Sequence, residues 1–232
     1  MRRDERFTAL EVLVVLVLTA LPVPATIMLR RLLTEAGLVP LLFGELETPL
    51  ISFAIYAVCS WGALGCALYV AGWSRLRAHG LRIVVSARRV AASLVALLMG
   101  VAVYHAVEVA LTNAGFAGVQ GMSYPRPSVA EGLLLFASAV GTAAFCEEVF
   151  FRVIWIGVLG TRIPRAAAAV AGILAFSLIH YPYFGLGGVA FVSVWAILPS
   201  ILFLMFGDIT APLLLHVLNN TFAYIVVPLW LR

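Results

Sequence analysis

The chain has 232 residues, of which 63% are hydrophobic and 11% are charged, and its formal net charge is +4. A soluble domain carries about 25% charged residues, so this chain has too few charges to cover a water-exposed surface. The deficit extends along the whole sequence, which excludes a soluble domain on a single anchor. We therefore expect one membrane domain, residues 1–232, folded as an all-α, polytopic transmembrane helical bundle.

The positive charge does not indicate a nucleic-acid partner. All fifteen basic residues are Arg, and they cluster at the ends of apolar runs. Membrane topology and anionic lipid headgroups account for that pattern. We expect the lipid bilayer to be a partner and nucleic acid not to be one.

Seven apolar runs predict about seven helices, within a range of six to eight, because a bilayer-spanning helix needs about 20 apolar residues. The fourth run exceeds 30 residues, so we expect its helix to tilt or to project past the membrane. In chain order the runs are residues 7–29, 48–73, 90–113, 128–160, 165–181, 186–206 and 209–231.

The first run has two interpretations. It follows Arg2, Arg3 and Arg6 and could be a secretory signal with Val23-Pro24-Ala25 as its cleavage site. The apolar stretch is longer than a usual signal core, so we favour a retained first helix. A cytoplasmic N-terminus then places ten Arg residues on the cytoplasmic side and four on the other, as the positive-inside rule favours.

Polar and ionisable side chains occur inside three of the later apolar runs. An ionisable group there costs at least about 2.5–3.5 kcal/mol on insertion, so it indicates a functional site by default. These residues are Glu147, Glu148 and Arg152 in the fourth run, His180 in the fifth, and His216 and Asn220 in the seventh.

Helix geometry separates the two adjacent glutamates. Glu148 and Arg152 are four residues apart, so they share a face and can form an ion pair. Glu147 is rotated by about 100° from Glu148, so it remains available for chemistry. Glu147 and His180 lie about 20 and 22 Å from the same side of the membrane, so they can meet at one depth.

This set of residues supports activation of water. A carboxylate can act as a general base, a His can orient the water or assist the leaving group, and an Asn amide can donate to an oxyanion. Alternatively, Glu147, His180 and His216 could bind a divalent metal, most plausibly zinc. The familiar His-Glu-x-x-His zinc motif is absent from the sequence.

The polar residues fall into three motifs, which are Glu147-Glu148-x-x-x-Arg152, Phe176-x-x-x-His180 and His216-x-x-x-Asn220. In this order, each inside an apolar run, they resemble the signature motifs of the CAAX protease and bacteriocin-processing membrane family. The stretch Gly207-Asp208-Ile209-Thr210-Ala211-Pro212 is similar to that family's approach to its last motif. The resemblance covers about residues 130–225, and the first half is similar only as hydrophobic helices.

The resemblance implies an all-helical intramembrane endopeptidase with a catalytic core at about residues 128–231. Relatives remove the C-terminal tripeptide of prenylated CAAX proteins, mature bacteriocins, or clip C-terminal sorting tails. The roles implied by motif are water activation by Glu147, assistance by His180 and His216, oxyanion stabilisation by Asn220, and support of the first glutamate by Glu148 and Arg152.

The function so implied is hydrolysis of a peptide bond near the C-terminal tail of a membrane-embedded or lipidated substrate. We expect it to occur in the cell membrane of a bacterium or archaeon. We expect no cofactor, although zinc on Glu147, His180 and His216 is the alternative. We favour glutamate-activated water because no third strong zinc ligand stands out.

Two other functions stay open on the sequence alone. Intramembrane Glu and His residues also serve proton and ion transporters. A non-catalytic member of the same family could act by binding, for example in immunity. Elsewhere, His105 and Glu108 are three residues apart on the third run, where we expect them to pair rather than to line the same site.

Overall fold

The structure is a computed structural model that describes residues 7–43, 48–116 and 128–227. Within these residues it contains ten helices and no strand. The helices are α1 (Ala9–Ala20), α2 (Pro22–Glu35), α3 (Val39–Phe43), α4 (Thr48–Ala71), α5 (Trp73–Ala78), α6 (Ala87–Asn113), α7 (Val129–Thr161), α8 (Arg165–Leu178), α9 (Tyr181–Phe206) and α10 (Thr210–Thr221).

Every predicted apolar run corresponds to a helical segment. Among the described residues α4, α6, α7 and α9 are each long and apolar enough to cross a membrane, and α1 with α2 forms a fifth span if the bent pair counts as one. α8 has 14 residues, about 21 Å, which is shorter than the hydrocarbon core of about 30 Å. The prediction of an all-α membrane bundle is confirmed, and the protein is an integral membrane protein.

The first run differs from the single helix that was predicted. The chain bends by 45° between α1 and α2, and α2 continues to Glu35, beyond the predicted end. Pro22 stands at the first position of α2. Proline has no backbone N–H and its ring clashes with the preceding turn, so the helix breaks there and restarts.

α7 is the central helix and carries both glutamates. Its 33 residues exceed a simple span, as predicted. Its Phe136–Ala143 and Val149–Val158 stretches are π-helical, and the α-helical turn Ala144–Glu148 lies between them. Nine of the ten residues of Val149–Val158 are buried, so protein rather than lipid surrounds this part of α7.

One end of the bundle, here called the arginine end, gathers most of the described arginines. Arg75 of α5 contacts Glu11 of α1 at 2.7 Å, and the Arg162 guanidinium donates a hydrogen bond to the Phe7 carbonyl. The arginines at this end are Arg75, Arg77, Arg82, Arg88, Arg89, Arg162 and Arg165. Arg2, Arg3, Arg6, Arg126 and Arg232 lie outside the described residues.

A buried carboxylate at the arginine end fixes the start of α10. Asp208 lies between α9 and α10, pairs with Arg89 at 2.6 Å and accepts a hydrogen bond from the Thr210 N–H at 3.0 Å. Burial by itself raises the pKa of Asp208, but the bonds from Arg89 and Thr210 outweigh it and hold the pKa below its ordinary value. The carboxylate therefore stays ionised and holds α6 against the α9–α10 turn.

Candidate active site

A cavity of about 290 Å³ lies in the half of the bundle between Glu147 and the end opposite the arginines. α2, α4, α7, α9 and α10 contribute its walls, which are largely apolar with a few polar groups, as ligand sites commonly are. The structure brings together in this cavity the four residues predicted to be catalytic, which are Glu147, His180, His216 and Asn220.

Glu147 lies at the inner end of the cavity, on the α-helical turn of α7, and is only 6% exposed. The Tyr56 hydroxyl on α4 donates a 2.8 Å hydrogen bond to Glu147 Oε1. Glu147 Oε2 lies 3.6 Å from His216 Nε2. One carboxylate oxygen is thus fixed by Tyr56, and the other faces the imidazole.

His216 is held between the two adjacent glutamates. Its Nδ1 lies 2.8 Å from Glu148 Oε1, and its Nε2 faces Glu147. An ionised carboxylate only accepts hydrogen bonds, so Nδ1 carries the hydrogen and Nε2 is the ring nitrogen left for chemistry. The indole of Trp195 packs edge-on against the imidazole at 4.9 Å, which further restrains its rotation.

The predicted pair of Glu148 and Arg152 is present and fully buried. Arg152 Nε lies 3.3 Å from Glu148 Oε2, although the geometry is not that of a hydrogen bond. The guanidinium also lies 5.1 Å above the ring of Phe176. The spacing predicted only the pair with Arg152. In addition, the other carboxylate oxygen of Glu148, Oε1, orients His216.

His180 stands at the junction of α8 and α9 and forms one side of the cavity. Its Nδ1 lies 2.7 Å from the Phe176 carbonyl, so Nδ1 carries the hydrogen and Nε2 is available to a ligand. Phe184 stacks on the ring at 6.0 Å. Gly185 has φ +62°, and a Cβ on Gly188 would lie 1.9 Å from the Phe184 Cβ, so both glycines are required to bring Phe184 over His180.

Asn220 binds α10 to the π-helical part of α7. Its Nδ2 donates a 2.9 Å hydrogen bond to the Ala139 carbonyl, and its Oδ1 accepts one from Asn219. A primary amide has two N–H groups, so one of them remains for a ligand in the cavity.

Residues 129–222 match the family model described as type II CAAX prenyl endopeptidase Rce1-like. These residues form an Rce1-like domain. The match confirms the resemblance predicted from the three motifs, and it implies protease activity at the level of the family. All six residues predicted for the site lie inside the domain. No curated protein and no solved structure matches the chain.

Two polar residues of the cavity lie outside the Rce1-like domain and were not predicted. Tyr56 holds Glu147, and Arg30 of α2 lines the cavity and donates to Ser52 at 3.0 Å. Ser52 and Tyr56 are one helical turn apart, so they form a polar stripe on an apolar helix. That stripe was the feature of the sequence that could have indicated a contact with the site. Arg30 is one of the four arginines predicted to lie on the non-cytoplasmic side.

The three possible zinc ligands, Glu147, His180 and His216, all line the cavity. Two imidazoles and a carboxylate are chemically suitable for zinc. Among the described residues, however, no group of three His, Cys, Asp or Glu side chains is placed to hold a metal. His216 Nδ1 is held by Glu148, and its Nε2 faces Glu147.

The predicted pair of His105 and Glu108 is not observed. Glu108 is buried, yet neither of its oxygens has a hydrogen-bond partner within the described residues. Neither residue lines the cavity of the Rce1-like domain. The spacing of three residues placed them on one face of α6 but did not bring the side chains together.

Proposed function

We propose that the chain is an intramembrane endopeptidase that hydrolyses a peptide bond near the C-terminal tail of a membrane-associated or lipid-modified substrate. The observation that carries the proposal is the placement of Glu147 in an apolar cavity, with Oε1 bound by Tyr56 and Oε2 3.6 Å from His216 Nε2. A buried carboxylate with one oxygen directed at an imidazole is the arrangement expected of a general base.

The first step is attack by water. Glu147 Oε2 accepts a proton from a water molecule, and the water oxygen bonds to the scissile carbonyl carbon. Tyr56 fixes Oε1, which keeps Oε2 directed into the cavity. The C=O bond becomes a single bond, and negative charge develops on the carbonyl oxygen.

The second step is collapse of the tetrahedral intermediate. The free amide N–H of Asn220 donates to the oxyanion, and preorganised donors of this kind are worth about 2.7–4 kcal/mol each. The C–N bond then breaks, and the proton held by Glu147 passes to the leaving amine. His180 and His216 direct Nε2 atoms toward the reacting groups, and Glu148 keeps the His216 ring in place.

We also propose that the arginine end faces the cytoplasm, as the positive-inside rule favours. Because the cavity occupies the opposite half of the bundle, substrate tails then enter from the extracytoplasmic side. In a variant without native cysteines, Glu35→Cys should react with an impermeant maleimide on intact cells, and Arg77→Cys only after lysis. The reverse pattern would contradict this orientation.

The test of the reaction is cleavage of a lipid-anchored tail peptide by purified protein in proteoliposomes, followed by mass spectrometry. Glu147→Gln should abolish cleavage while leaving the fold intact. Glu35→Gln is the matched control. It makes the same chemical change at an exposed residue, which pairs with Arg31 on the surface. Normal cleavage by Glu147→Gln would refute the proposal, and a pH-dependent ion flux without cleavage would favour a transporter.

A further inference from the structure

The cavity contains one cation whose charge the proposed reaction does not use. Arg30 lies on α2 and is the only Arg or Lys among the described residues that line the cavity. Its side-chain hydrogen bond goes to a neutral group, since Nη1 donates to the Ser52 hydroxyl at 3.0 Å. No ion pair to Arg30 occurs within the part of the chain that the structure describes, whereas the neighbouring Arg31 pairs with Glu35 at 2.7 Å.

A charge that lines a largely apolar cavity is costly to desolvate, so Arg30 is a candidate for a functional role. The guanidinium has five N–H donors in a fixed fork, which matches a carboxylate in two parallel hydrogen bonds. Ser52 takes up one donor and restrains the side chain, leaving the others for a ligand in the cavity. The ligand that suits this group best is therefore an anion of carboxylate geometry.

The position of Arg30 relative to Glu147 limits what that carboxylate can be. Ser52 contacts Arg30, and Tyr56, one turn further along α4, contacts Glu147. One turn separates the two contacts by about 6 Å along the helix, and the offset of Arg30 on a second helix adds to this distance. An extended peptide advances about 3.3–3.6 Å per residue, so the attacked carbonyl and a carboxylate at Arg30 are about two residues apart or more.

We propose that Arg30 binds the C-terminal carboxylate of the substrate. This inference rests on the proposed endopeptidase function and adds a specificity-determining residue from outside the Rce1-like domain. The enzyme then acts at a true C-terminus and discriminates against an internal or amidated one.

The test uses two peptides, each with an S-farnesyl cysteine followed by three apolar residues, one ending in a carboxylate and the other in a carboxamide. Binding is measured on detergent-solubilised Glu147→Gln protein, so that no cleavage intervenes. We expect roughly 10- to 100-fold tighter binding of the acid, since hydrogen bonds between charged groups contribute this much. Adding Arg30→Ala should bring the ratio close to one, and adding Arg31→Ala should leave it unchanged.

Equal binding of the two peptides by the Arg30-containing protein would overturn the proposal, as would an unchanged ratio in Arg30→Ala. Arg30→Lys keeps the charge but loses the fork, so it should lower the ratio several-fold if Arg30→Ala does not fold. With active protein the effect should appear in KM for the acid and not in kcat. Absence of cleavage of both peptides would count against the endopeptidase function, while the binding ratio would still decide the role of Arg30.

Discussion

Replacing Glu148 with Gln tests how the buried charges at the site are balanced. Glu148 and Arg152 are 0% and 1% exposed, with Nε and Oε2 3.3 Å apart. Removing the carboxylate leaves the Arg152 cation uncompensated, which costs about 3–5 kcal/mol. That is a large part of a typical stability of about 5–15 kcal/mol. Unfolding in mixed SDS micelles should show this loss for Glu148→Gln.

A second substitution separates the structural effect from the effect on catalysis. In Glu148→Gln with Arg152→Met the unpaired cation is gone, so most of the lost stability should return. Activity should stay low, since a neutral amide holds the His216 ring about half as strongly as a carboxylate does. Glu35→Gln, on an exposed pair with Arg31, should cost about 0.5 kcal/mol or less. A stable Glu148→Gln, or a double variant no more stable than the single, would refute the reasoning.

Three further substitutions test individual contacts. Tyr56→Phe should lower kcat about 10- to 100-fold, because it removes a buried hydrogen bond to a charged group worth about 1.5–3 kcal/mol. The pKa of Asp208 is lowered, so its pair with Arg89 stabilises the fold above the ordinary pKa and loses this effect as pH falls through the lowered value. Asp208→Asn should therefore reduce the unfolding midpoint at pH 6 and flatten its decline towards pH 3, both relative to wild type. Gly188→Ala should reduce activity, because its Cβ would overlap Phe184 at 1.9 Å.

Two of these predictions have a matched control. Tyr69→Phe removes a hydroxyl from a side chain that is 92% exposed on α4, so kcat should not change. Gly62→Ala adds a Cβ with nothing within 4 Å, so it should be active where Gly188→Ala is not. For Asp208, an acid-induced loss of stability of the same size in Asp208→Asn and in wild type would show that another group titrates.

Much of the fold follows from local features of the sequence. Apolar run length and Arg placement gave helical segments close to those observed, because lipid forces each crossing segment to satisfy its own backbone hydrogen bonds. No bend was predicted before Pro22, because the hydropathy of a segment does not depend on whether proline lacks a backbone N–H. The π-helical stretches on either side of Ala144–Glu148 carry no composition signal, so spacing alone implied a regular α-helix.

The site was predictable only where its residues are unusual for their surroundings. Glu147, His180 and His216 stand out inside apolar runs, and the structure places them around one cavity. Tyr56 stands out less, since tyrosine is enriched at membrane–water interfaces without any catalytic role. Its contact with Glu147 joins residues 91 positions apart, and no local pattern encodes such a pairing.

The adjacent glutamates show how one residue type takes two roles within a single turn. Rotation by about 100° sends Glu147 toward the cavity and Glu148 toward Arg152. His216 lies between them, with Nδ1 2.8 Å from one carboxylate and Nε2 3.6 Å from the other. Arg152 Nε lies 3.3 Å from Glu148 Oε2, so the carboxylate that holds the imidazole has a cation beside it. Glu147 is bound instead by the Tyr56 hydroxyl through one oxygen, and its other oxygen faces His216.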